Sequence, residues 1–191
     1  MPTTIEVHKQ SVKQLLESGK ENPFIIPEYQ RPYAWSDEQV ITLFDDLWEF
    51  VSNENQETYF LGSIVSYKNE NNEQEIIDGQ QRITSLFLLL RAIYTKLKLV
   101  GETTKEAKNF INQIEPAIWR TQKLTGEVDY TDTLLNSRVV TDEANFILKE
   151  ILTTGKIKQG ADDNYSKNYS KFIELFEQAS VNNPLKIYEF I

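Results

Sequence analysis

The stretch ITSLFLLLRAIYTKL, residues 83 to 97, restricts the fold more than any other part of the chain. Ile83, Leu86, Phe87, Leu90, Tyr94 and Leu97 recur at helical spacing, and Leu88, Leu89 and Ile93 widen the stripe they form. Only a narrow line through Thr84, Arg91, Thr95 and Lys98 stays polar. A helix apolar on nearly every side must be covered on nearly every side. The spacing therefore predicts a buried central helix from Gly79 to about Leu99, with the remaining chain wrapped around it. Its longest apolar run, Leu86 to Leu90, is far too short to span a bilayer. No signal-peptide core opens the chain. The expectation is a soluble cytoplasmic protein with no membrane partner.

The chain has enough apolar material to cover such a helix. Of its 191 residues 40% are hydrophobic and 12% aromatic, which suits one core with a smaller appended layer. Cysteine is absent, so a disulfide framework, thiolate metal sites and a cysteine nucleophile are excluded. The net charge is −9, and none of the consecutive segments 1–50, 51–100, 101–150 and 151–191 is net positive, which argues against broad adhesion to a phosphate backbone. A small local cationic pocket stays open.

Along the chain, TTIEVHKQSVKQLLESGK reads as a short strand and a two-turn helix stopped near Gly19. NPFIIPEYQRPYAWS is extended, because Pro23, Pro27 and Pro32 fix φ and bias the residues before them away from helix. Ser36 with Gln39 predicts a capping box for a helix from Asp37 to about Val51. ETYFLGSIVSYK and EQEII predict a hairpin turning near Asn71. Beyond Gly101 three helical patterns follow: TTKEAKNFINQI, TDEANFILKEIL and YSKNYSKFIELFEQA. GEVDYTDT is expected to be loop. The fold class is therefore α+β: an α/β core over residues 1–100, then a mostly helical region over 101–191 as the front of a longer protein.

Chemistry concentrates where the second hairpin strand meets the central helix, at Asp78-Gly79-Gln80-Gln81-Arg82. With Asp78 as N-cap, Gln81 closes a capping box and Gly79 permits a sharp turn. Arg82 then leans back over the first turn, so free N–H groups and a guanidinium converge on a seat for an anion such as phosphate. The plainer alternative is an Asp78–Arg82 pair at i,i+4, worth a few tenths of a kcal/mol. A second candidate is Gln30-Arg31, held between prolines and beside Tyr29, Tyr33 and Trp35. Its plainer alternative is core aromatics with a surface cation. The two stretches reinforce each other only if they meet in space. There is no P-loop pattern, and the single histidine, His8, lacks the partners of a zinc site or a catalytic triad. No metal-ligand set stands out, although Glu38, Asp45 or Asp46 could assist a nucleotide-bound Mg²⁺.

Taken together, IPEYQRPYAWSDEQVITLFDDL, YFLGSIV and IIDGQQRITSLFLLLRAIY resemble the N-terminal domain of GmrSD-type restriction systems, over roughly residues 25 to 95. LNSRVVTDEANFILKEIL and NYSKNYSKF are weaker matches. The resemblance implies a ParB/sulfiredoxin-like small-sheet core followed by a helical region. It also implies NTP binding and hydrolysis, with or without Mg²⁺, in defence against phage DNA carrying modified bases or phosphorothioate linkages. A separate C-terminal H-N-H domain would cut the DNA. Carried over, Asp78, Gln80 and Gln81 are the expected catalytic residues, and Gly79, Arg82, Gln30 and Arg31 the expected phosphate-binding ones. No H-N-H segment is present in these residues and no cysteine serves sulfiredoxin chemistry, so neither activity is expected here. The other readings are a DNA-recognition module without hydrolysis and a regulatory scaffold.

Overall fold

The structure is a computed structural model that describes residues 6–52, 59–100, 105–139 and 142–179. The first helix, α1 (Val12–Glu21), opens on a complete capping box between Ser11 and Gln14. It runs past Gly19, because that glycine serves contact and does not end the helix. A Cβ there would stand 2.4 Å from the Phe24 ring. Glu6 to Gln10 have no regular structure, and the rest of the strand expected before α1 lies outside the described residues. Strand β1 (Phe24–Ile26) follows, and all three of its residues are buried. Helix α2 (Asp37–Ser52) matches its expected span. At its start Gln39 Oε1 accepts both the Ser36 N–H and the Ser36 hydroxyl at 2.7 Å.

Strands β2 (Val65–Lys68) and β3 (Gln74–Asp78) form the expected hairpin. Asn69 Oδ1 accepts from the N–H groups of Asn71 and Glu73, and Asn72 takes φ 59° in the turn. The strand expected from Glu57, whose first two residues lie outside the described ones, starts only at Val65. Gly62 at φ 114° breaks the extended run, and the Ser63 carbonyl bonds to Arg82.

Helix α3 (Gln80–Val100) is the central helix. Even its polar line is largely covered, with Thr84 at 1% and Arg91 at 6% exposure. Helices α4 (Lys105–Ile118), α5 (Asp142–Thr154) and α6 (Asn164–Ala179) all pack on it. Between α4 and α5 lie β4 (Trp119–Thr121), β5 (Val128–Thr133) and β6 (Leu135–Ser137). The GEVDYTDT segment is thus mostly strand and not loop. Pairing with β4 holds β5 extended, while both of its faces are largely exposed, so no apolar alternation marks it in the sequence. Strand β6 pairs in parallel with β1, in the register Phe24↔Leu135. The main sheet has the order β2-β3-β1-β6. A strand from the second half of the chain therefore completes a sheet begun in the first. Among the described residues no helix is long and apolar enough to cross a membrane.

Arg91 fastens α3 to the end of α5. Its Nε donates to the Leu152 carbonyl at 3.0 Å, and its guanidinium lies 5.1 Å from the Tyr94 ring centre and 5.5 Å from that of Trp119. Burial lowers its pKa, and no acid pairs with it among the described residues. The carbonyl end of α5 supplies the compensating negative potential. Gly155, at φ 68°, gives the guanidinium room, since a Cβ there would stand 2.4 Å from Nη2. Gly155→Ala is expected to cost about 1–3 kcal/mol, measured by urea unfolding against the parent chain.

Candidate functional site

The two motif segments meet. Residues 27–36 cross the start of α3 and are stitched to it by side-chain amides. Gln30 Nε2 donates to the Ile77 carbonyl at 2.8 Å, Gln80 Nε2 to Arg31 O at 3.2 Å, and Gln81 Nε2 to Pro32 O at 3.2 Å. Gln81 Oε1 in turn accepts the Ala34 N–H at 2.7 Å. The Gln81 amide thus serves the loop as a neighbouring strand would, one donor and one acceptor side by side. Pro27 and Pro32 have no N–H of their own and keep this segment out of the sheet ladder. A backbone group left unpaired here would cost about 1–3 kcal/mol. Gln80 and Gln81 are each only 7% exposed, and Gln80 Oε1 is buried without a partner.

The helix does not begin as expected. Asp78 is the exposed last residue of β3 and is not the N-cap; Gly79 takes that place, with its carbonyl accepting from Ile83 N–H at 3.0 Å. Gly79 has φ 88°, and a Cβ would meet Ser63 O at 2.9 Å, so only glycine fits. The expected Gln81 capping box is absent, because that amide is committed to the loop. The Asp78 carboxylate makes no hydrogen bond or ion pair with any described residue. The Arg31 guanidinium is exposed and equally free of such partners, although its carbonyl is held by Gln80.

Arg82 sits in the first turn, half-buried, with Nη1 donating to Ser63 O at 2.8 Å. It forms no ion pair among the described residues, so the i,i+4 alternative with Asp78 is not formed. Its guanidinium lies against Gly62, where a Cβ would come within 2.6 Å of Nε. On its open side Arg82 lines a cleft of about 310 Å³ shared with Trp35, Tyr59 and Leu61. Glu38, Thr42 and Asp46, one turn apart on α2, form the facing wall, whereas Asp45 points elsewhere. Tyr59 donates to Asp46 at 2.7 Å, and burial together with that carboxylate pushes its phenol up to about 12, so it stays a neutral donor. Among the described residues no three His, Asp or Glu side chains gather as a metal cage.

Four residues outside the expected set hold the loop from behind. Asn164 Nδ2 donates to Tyr33 O at 3.3 Å, and Asn168 Nδ2 to Trp35 O at 2.8 Å and to the Tyr33 hydroxyl at 3.0 Å. The Tyr33 hydroxyl also meets Ser85 Oγ at 2.7 Å, and its ring stacks on Tyr165 at 4.9 Å. A sequence signal for them exists: Asn-Tyr-Ser-Lys occurs twice in succession, at 164–167 and 168–171, which puts both asparagines on one face of α6.

Burial pushes the Tyr33 phenol from 10.0 up to about 12, against the opposing bonds from Ser85 and Asn168. A folded-state value above the unfolded one gives stability that is complete below pH 10.0 and lost as pH rises to about 12. The unfolding free energy is expected to hold steady to that lower limit and then fall. The fall should be shallower in Tyr33→Phe, as measured by urea titration across the alkaline range.

Residues 12–191 match the family model described as GmrSD restriction endonuclease, N-terminal domain. A comparison with curated proteins found no match. By that match over nearly its whole length, the chain belongs to the GmrSD restriction endonuclease N-terminal domain family.

Proposed function

We propose that this domain binds a nucleoside triphosphate, and hydrolyses it, in the cleft at the mouth of α3, as the sensor module of a modification-dependent restriction protein in phage defence. One observation carries the reading: Arg82, in the first turn of the central helix, faces an open cleft with only a neutral carbonyl as partner among the described residues. A guanidinium beside unpaired first-turn N–H groups suits phosphate oxygens. Trp35 and Tyr59 supply aromatic surface for a base or sugar. Glu38 and Asp46 would repel a bare triphosphate; eight residues apart on α2, they stand too far from each other to share one ion, so a single one of these carboxylates would assist a Mg²⁺ that brings its remaining ligands from water and phosphate.

In this reading the five motif residues divide the work. Arg82 binds phosphate, helped by the free Arg31 guanidinium. Gly79 lets the helix start at the ligand. Asp78, an exposed carboxylate unpaired among the described residues, orients the attacking water. Gln80, Gln81 and Gln30 act through the loop that their amides hold. DNA cutting belongs to a separate nuclease domain, through or together with which this module meets DNA.

Arg82→Ala is expected to weaken NTP binding by at least about tenfold, the loss of one or two charge-assisted bonds at about 1.5–3 kcal/mol each, read by calorimetry with Mg²⁺ present. Gly62→Ala, which keeps the charge but pushes the guanidinium aside, should weaken binding in the same direction. Phosphate release should vanish in Asp78→Ala while binding persists. Unchanged NTP affinity in Arg82→Ala would overturn the assignment. Gel shifts that follow DNA modification and ignore NTP would move it to DNA recognition.

A further inference from the structure

The geometry points to Asn168 as a positioning residue for the nucleotide cleft, acting through Trp35 and assisted by Asn164; this rests on the reading proposed above. Asn168 has no exposed surface, yet it is a carboxamide among apolar neighbours, and its Oδ1 has no partner among the described residues. What Asn168 does achieve is a forked donation: one Nδ2 reaches both the Trp35 carbonyl and the Tyr33 hydroxyl. Those two residues flank Ala34, whose N–H is held from the other side by Gln81. The loop is thereby clamped between α3 and α6, and the Trp35 side chain that leaves the clamp enters the Arg82 cleft. Asn164, one turn earlier, holds the carbonyl of Tyr33 in the same way. Neither asparagine lines the cleft, and Asn168 has no exposed surface with which to touch a ligand bound there.

The test uses the chain carrying 5-fluorotryptophan, with the Trp35 fluorine resonance assigned through Trp35→Phe. In Asn168→Leu, close to asparagine in size but without donors, the Trp35 resonance is expected to shift while those of Trp48 and Trp119 stay in place. NTP affinity should fall about tenfold, and the thermal transition should remain cooperative. Asn164→Ala, at a less buried site, should give a smaller change in the same two readouts, and it serves as the deciding variant if Asn168→Leu does not fold. A Trp35 resonance that does not move overturns the inference, as does one that moves with no change in NTP affinity. If the parent chain binds no NTP, the nucleotide reading fails, while the fluorine shift still decides whether Asn168 sets the position of Trp35.

Discussion

Helix α3 has no face that it can leave in water, and the architecture is arranged around that constraint. The sheet covers it with Phe24 and Ile76, and α4, α5 and α6 close the remaining sides. Burying a Leu or Phe side chain contributes about 1.5–3 kcal/mol, and α3 carries a long series of them, so partial cover would forfeit much of the fold's driving force. The same constraint explains Arg91. A cation cannot be taken out of water without partners, and here a helix-end carbonyl, a threonine hydroxyl and two aromatic rings stand where a carboxylate is usual.

Covering α3 also places the site. Its first turn is the part that the helices do not enclose, and two loops reach it from opposite sides. Residues 62–64 close against Gly79 and Arg82 with no space for a Cβ at either glycine. Residues 30–35 are held by glutamine amides from α3 and asparagine amides from α6. Five adjacent motif residues thus divide by burial: Asp78 outside, Gly79 to Gln81 inside, Arg82 between. The buried amides fix the backbone that carries the exposed charges.

Much of this was legible beforehand where the evidence was local. The span of α2, the hairpin turn at Asn71 and the near-complete burial of α3 all follow from spacing within a few residues of chain. The two motif segments do meet at one helix start. What misled was also local. Gly19 resembled a helix stop but is a contact with Phe24, and Asp78 resembled an N-cap but finishes a strand. GEVDYTDT resembled a loop because a strand exposed on both faces shows no alternation.

The sequence by itself determined which segment had to be central, where the turn into it lay and which charges stood there. Periodicity and turn chemistry are properties of neighbouring residues, and they survive without knowledge of the fold. Only the tertiary structure decided that β6 joins β1, that Gln80 and Gln81 face a loop, and that Asn164 and Asn168 hold that loop in place. An amide's partner is whichever polar group is brought within about 3 Å, and for these residues that group lies far away along the chain. A side chain's partner is therefore set by packing, which no local pattern records.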